Sequence, residues 1–292
     1  MKTERAAWFL VGPSLLVIGV FFFLPVLAAL AMSLTDFDLY ALASIKNLRF
    51  VGIDNYVELM HTPLFWKALG NTLFFVVAGV PLSIAASLGA ALLLNSKLAF
   101  FKPLFRTAFF APVVTSMVAV AVIWRYLYHT RYGFINYALE AIGFAPADWL
   151  GDPQLAMPAI IFFAVWKNFG YNMIIFLAGL QSIPTDLYEA AELDGAGTWA
   201  LLRHITLPAL APTMFMVSIL TMAGYFQLFA EPYVMTQGGP LQSTVSVLYL
   251  MYEQGFKWWN LGSATAVAFV LFVLMFAVTL LQMRVAGRGL EE

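Results

Sequence analysis

With 292 residues, 62% of them hydrophobic in type and 11% charged, and a mean hydropathy of +0.84, the chain carries more apolar side chain than a water-soluble fold of its length can bury. A formal net charge of −1 argues neither for nucleic acid nor for a strongly basic membrane-surface protein, and the absence of cysteine excludes disulfides, thiolate metal sites and a cysteine nucleophile. His61, His129 and His204 lie far apart with no HExxH pair, and no lysine follows a glycine, so a phosphate-binding Gly-Lys-Ser/Thr loop is missing.

The bilayer is therefore the natural solvent, and charge-free stretches of about 20 residues can be counted as helical crossings of about 30 Å of hydrocarbon. After Lys2 and Arg5, no charge occurs from Ala6 to Thr35. Ala29-Leu30-Ala31 resembles a cleavage site, but the run far exceeds the roughly 7–15 residues of a signal core, so it reads as a retained anchor. The predicted spans are 8–34, 69–94, 107–128 (with Arg125 near its end), 155–180 (interrupted by Lys167), 208–230 and 262–283. Continuous apolarity favours helices over barrel strands, which would alternate polar and apolar. The links 35–66, 129–154 and 231–261 are long and hold short helical patterns such as Tyr56-Val57-Glu58-Leu59-Met60, expected to lie along the outer face. No low-complexity tract, heptad run or second soluble domain is apparent.

Six spans put both termini on one side. Lys97, Lys102 and Arg106 crowd the short second link without an acid, and Lys2, Arg5, Arg203, Arg284 and Arg288 fall on the same side. The other side dilutes its cations with Asp36, Asp38, Asp54, Glu58, Glu140, Asp148, Asp152 and Glu253. Positive charge marks the cytoplasm, so both termini are expected there.

Within the fourth span Lys167 needs a wet cavity, an acidic partner or a route to the headgroups, since a mid-helix lysine costs roughly 2.5–3.5 kcal/mol on insertion scales. Around it, Trp166, Gly170 and Met173 share one helical face, while Asn168 and Asn172 share another. In the fifth span Thr221, Gly224, Tyr225 and Leu228 form a stripe, with Gln227 and Glu231 beside it. Such stripes suit helix packing, with glycine permitting close approach, and equally a sugar site built from aromatic faces and fixed polar groups.

Between these two spans the sequence turns polar. Ser182-Ile183-Pro184-Thr185 reads as a helix start with Ser182 as a plausible cap, Asp186, Glu189 and Glu192 sit toward the helix's N-terminal half, and Gly195 and Gly197 break it. Thr198 can cap a second short helix through Ile205 before Pro208 enters the fifth span. Too short and too polar to span, this element is either an amphipathic connector resting on headgroups or a docking element for a cytoplasmic partner.

Glu189-Ala190-Ala191, then Asp194-Gly195-Ala196, then Ile205-Thr206-Leu207-Pro208 and Pro212, closely resemble the EAA loop of bacterial ABC importer permeases. Phe50-Val51-Gly52-Ile53-Asp54-Asn55-Tyr56, the run from Phe65-Trp66 to Asn71-Thr72, Ala178-Gly179-Leu180-Gln181 with Ile183-Pro184, and Gly238-Gly239-Pro240 resemble the carbohydrate branch, the maltose and glycerol-phosphate permease type. The resemblance implies an all-α integral membrane protein with six transmembrane helices, the type I importer permease (MetI-like) fold, in the bacterial inner membrane. It implies that residues 182–207 are a coupling loop. There Glu189, Ala190, Ala191, Asp194, Gly195, Ala196, Leu207 and Pro208 meet a cytoplasmic ATPase, Glu189 through basic or polar groups, the two alanines by fitting a groove. It implies substrate contacts at Trp166, Phe169, Gly170 and Met173 of the fourth span and Thr221, Gly224, Tyr225 and Leu228 of the fifth.

Expected partners are a second, similar permease, two ATP-binding cassette subunits and an extracytoplasmic sugar-binding protein. ATP and magnesium belong on the ATPase, so this chain is expected to be no enzyme and to hold no cofactor. The alternatives are a secondary transporter or channel acting alone, which would be expected to carry carboxylates inside the bilayer, where only Glu231 is marginal, and an intramembrane hydrolase, for which no His/Ser/Asp set or metal-ligand spacing appears at membrane depth.

Overall fold

The computed structural model of the chain describes residues 2–96 and 100–290. Lys97, expected in the cationic second link, and the side chains of Lys2, Arg5 and Arg288 lie outside the described residues. The described chain is helical. In order come α1 (Lys2–Ile18), α2 (Leu24–Ser33), α3 (Leu39–Ala43), α4 (Asp54–His61), α5 (Pro63–Asn95), α6 (Lys102–Val114), α7 (Met117–Leu127) and α8 (Phe134–Ala141). There follow α9 (Ala156–Gln181), α10 (Thr185–Leu193), α11 (Thr198–Leu201), α12 (Leu207–Ala209), α13 (Ala211–Phe226), α14 (Ala230–Met235), α15 (Val247–Tyr252) and α16 (Leu261–Leu290).

Among the described residues four helical stretches are long and apolar enough to cross a bilayer: Leu10–Ser33, in which a π-helical turn at Gly19–Phe23 joins α1 to α2, Pro63–Asn95, Ala156–Gln181 and Leu261–Val285. The other two expected spans are broken. The stretch 107–128 is not one helix: α6 and α7 meet at 102°. At about 1.5 Å per residue the 13 residues of α6 reach about 20 Å, short of the hydrocarbon thickness. Pro112 has no N–H to offer the preceding turn, and Thr115 (ψ 152°) and Ser116 (ψ 127°) are extended, so the helix stops and restarts. The stretch 208–230 likewise divides, with a 65° bend before α13, and its helix ends at Phe226.

Two compact units divide the chain, Met1–Trp66 with Leu250–Leu274, and Lys67–Tyr249 with Met275–Glu292. In the first, the Phe50–Tyr56 motif is a clasp on the end of α2. The Val51 and Gly52 amides donate to Leu34 O at 2.9 and 3.0 Å, with Gly52 at φ +62°. Asn55 Nδ2 donates to Ser33 O and Thr35 O, both at 2.8 Å, and Tyr56 OH lies 2.7 Å from Ser33 Oγ. Asp36 pairs with Arg49 at 2.7 Å, and the Arg49 backbone amide, then its guanidinium, hold that carboxyl below its ordinary range.

In the second unit, Asn71-Thr72 performs the same kind of fastening. Asn71 Nδ2 donates to Gln242 O at 3.0 Å and Val245 O at 2.9 Å, and Thr72 Oγ1 accepts from the Val247 amide at 3.0 Å. Backbone outside helices must find such partners when water is scarce. The core of this unit sits where α5, α9 and α13 meet, around Ala91, Met173, Phe176, Leu177, Leu210 and Val217.

Candidate substrate cavity and coupling loop

The second unit encloses a cavity of about 350 Å³, walled by α5, α6, α7, α9, α13 and α14. Helix α9 presents Ala164, Lys167, Asn168, Tyr171 and Asn172 to it, residues at helical steps of three and four along one face. Helix α13 presents Leu220, Thr221, Gly224 and Tyr225, and Phe75 and Glu231 complete the polar and aromatic wall. Asn172 Nδ2 donates to Thr221 Oγ1 at 2.8 Å, tying the two helices inside the cavity. Asn168 Nδ2 donates to Ala164 O at 2.9 Å and Lys167 Nζ to Val113 O at 3.2 Å. The Tyr225 ring stacks on Phe75 with centroids 5.0 Å apart, and it lies so close to Gly79 that a Cβ there would sit 2.5 Å from Tyr225 Cε1. Tyr225 OH is buried without a hydrogen-bond partner among the described residues.

Thus Thr221, Gly224 and Tyr225 line the cavity, while the four expected residues of the fourth span do not. Trp166 packs on Trp124, centroids 5.1 Å apart, and Phe169 on Phe109 at 5.6 Å. Gly170 lies against the Phe109 carbonyl, where any Cβ would collide, and Met173 is fully buried in the core. These form the face of α9 that packs on its neighbours, the packing reading of the stripe. Leu228 falls beyond the helix: α13 ends at Phe226, so its seven-residue step from Thr221 is not a helical one, and it is buried at 2% exposure. The neighbouring polar face, Lys167 with Asn168 and Asn172, was the legible signal for the cavity wall.

At the other end of α9 lies the polar loop. Its first helix, α10, is closed by a Schellman motif: the Ala196 amide donates to Ala191 O at 2.9 Å and the Gly195 amide to Glu192 O at 3.0 Å, with Gly195 at φ +85°. Asp194 is the C-terminal cap residue and its own amide donates to Ala190 O. Asp-Gly-Ala is thus a helix stop whose glycine occupies the left-handed position. Ser182 does not cap α10; the N-cap is Pro184, and Ser182 Oγ donates back to Gly179 O at 2.7 Å. Thr198 is the first residue of α11, with Gly197 at the cap position, and the chain from Leu202 to Thr206 is π-helical before Leu207 and Pro208 enter α12.

Glu189, Ala190, Asp194 and Gly195 are exposed and Ala191 and Ala196 half-buried. Leu193 is 89% exposed and Trp199 71% exposed, which sequence reasoning did not single out. Glu189 and Glu192 border a second cavity of about 570 Å³ between α10 and the ends of α5 and α9. Tyr188 OH lies 3.0 Å from Thr206 Oγ1 across the loop.

A family model described as binding-protein-dependent transport system inner membrane component matches residues 83–288. Among curated proteins, the probable ABC transporter permease protein YurN of Bacillus subtilis (strain 168) is 35% identical over 95% of this chain and 94% of its own. The lactose transport system permease protein LacF of Rhizobium radiobacter is 37% identical over 93% of this chain and 90% of its own. The trehalose/maltose transport system permease protein MalF of Thermococcus litoralis is 33% identical over 97% and 94%. Among solved structures, a chain of a bacterial ABC transporter involved in the import of the acidic polysaccharide alginate superposes with a TM-score of 0.82 at 22% identity, over 98% of this chain and 96% of that one.

Proposed function

The chain belongs to the family of binding-protein-dependent transport system inner membrane components, multi-pass proteins of the bacterial inner membrane, and from that membership we propose that it is the membrane-spanning permease of an ATP-driven carbohydrate importer. The support for the cargo class is the function of its relatives, permeases for lactose, arabinooligosaccharides and trehalose/maltose. The α9–α13 cavity agrees with it chemically: amide, hydroxyl and ammonium groups stand beside the Tyr225 and Phe75 rings. Saccharide recognition needs that mixture, flat faces for C–H groups and fixed partners for hydroxyls.

In this reading six crossings, counting each bent pair as one, place both termini and residues 182–207 in the cytoplasm. Two ATP-binding cassette subunits hold ATP and magnesium, and this chain hydrolyses nothing itself. A second permease supplies the other half of the pathway, and an extracytoplasmic binding protein delivers the sugar. The observation that carries the coupling role is the shape of α10: a short helix with a defined stop, exposed acids, and apolar Leu187 and Leu193 facing outward. Closure of the ATPase dimer would move α10, and Pro208 in α12, a few residues before α13, would carry that movement across the bend at Leu210.

The test is Glu189→Lys in the intact importer. Membrane insertion should persist while co-purification of the ATPase and ATP-dependent sugar uptake both fall. Normal uptake with normal ATPase recovery, or uptake by the purified chain without ATP, contradicts the reading.

A further inference from the structure

The cavity is lined by one basic and one acidic side chain. Lys167 on α9 is buried at 6% exposure, and Glu231, in the first turn of α14, is half-buried. Both line the cavity, and no other Asp, Glu, Lys, Arg or His lines it among the described residues. Within the membrane such groups are expensive to keep, so a basic and an acidic side chain lining one cavity point to use.

We propose that Lys167 and Glu231 together make this wall of the pathway selective for uncharged saccharides, with Glu231 the residue that rejects acidic ones. The inference rests on the carbohydrate reading and narrows it to a substrate class. A neutral sugar meets donors at Lys167 and Asn168 and acceptors at Glu231 and Thr221. A uronate or sugar phosphate drawn to Lys167 meets the Glu231 carboxylate in the same cavity. That like-charge contact offsets the attraction.

The experiment measures uptake by the complete importer of maltose, lactose, trehalose and cellobiose, and of the uronate derivative of whichever is imported. Wild type, Glu231→Gln, Lys167→Gln and the double variant share one binding protein, whose own preference cancels when acid-to-neutral uptake ratios are compared. Wild type should import the neutral sugar and not its acid. Glu231→Gln should raise the ratio by about tenfold, Lys167→Gln should lower neutral uptake without raising the ratio, and the double variant should return toward the wild-type ratio. If Glu231→Gln does not assemble with the ATPase, Glu231→Asp should assemble and keep the wild-type ratio, and a raised ratio there overturns the proposal. An unchanged ratio in assembled Glu231→Gln, or wild-type import of the uronate as readily as the neutral sugar, also overturns it while leaving the carbohydrate reading intact. Wild-type import of no sugar in either class refutes that reading and the inference with it.

Discussion

Tyr188 OH lies 3.0 Å from Thr206 Oγ1, and Thr206 donates its own proton to Leu201 O at 3.3 Å, so the tyrosine is the donor between them. The bond joins α10 to the π-helical turn at Leu202–Thr206 that leads into α12. Thr206 is buried at 5% exposure, and Tyr188 packs with Ile205 against the core of α5, α9 and α13. Push and pull on α10 therefore have a direct polar route into the transmembrane segment, besides the backbone.

Removing that bond should loosen transmission more than assembly. A buried neutral hydrogen bond contributes about 0.5–1.5 kcal/mol net. Tyr188→Phe and Thr206→Val should each raise the ATP hydrolysed per sugar imported by severalfold with the ATPase still bound, and Thr206→Ser should restore the wild-type ratio. Equal stoichiometry across all three variants would show that the backbone alone transmits.

Gly195 tests the helix stop separately. A Cβ there meets nothing within 4 Å, so the cost of Gly195→Ala is conformational, from φ +85°. A left-handed non-glycine residue costs about 1–2 kcal/mol, and asparagine tolerates the region better. ATPase retention on purification should fall severalfold for Gly195→Val and Gly195→Ala and less for Gly195→Asn. The same loss for all three would place the effect in side-chain contact instead.

Two glycines of the transmembrane helices should behave oppositely. A Cβ on Gly170 collides with the Phe109 carbonyl, whereas one on Gly224 meets nothing within 4 Å and points to the cavity wall. Overpacking costs typically about 1–3 kcal/mol. Gly170→Ala should lower the thermal midpoint of the detergent-solubilised complex by several degrees, while Gly224→Ala should leave it unchanged. Gly224→Leu should reduce uptake of larger oligosaccharides before that of disaccharides. A stable Gly170→Ala complex would overturn the close approach of α6 and α9.

The Asp36–Arg49 clasp sets a pH limit on the first link. Because the folded carboxyl titrates below its ordinary 3.8, its contribution is complete above that value and is lost as pH falls through the lowered one. Hydrogen exchange at the Asp36 amide, which donates to Arg49 O at 3.1 Å, should stay protected from pH 7 to pH 5 and open in stronger acid. Asp36→Asn should show the open rate throughout. Protection that persists in acid would remove the ion pair from that role.

Much of this was written in the residues. The apolar runs, the polar loop from 182 to 207 and the Asp-Gly stop depend on solvation and on local backbone preference, both of which are properties of short stretches. So does the grouping of Lys167, Asn168 and Asn172 apart from Trp166, Gly170 and Met173, since 3.6 residues per turn requires it. What each group faces is decided by neighbours far away in the chain. In a bilayer, lipid and packed helix are equally apolar, so an apolar stripe carries no mark of which it meets. Tertiary packing set Trp166 against Trp124 and Gly170 against the Phe109 carbonyl, which left the polar face of α9 for the cavity. It brought Glu231, distant in sequence, to the same cavity as Lys167, and it ended α13 at Phe226, one turn short of where hydrophobicity alone would carry it.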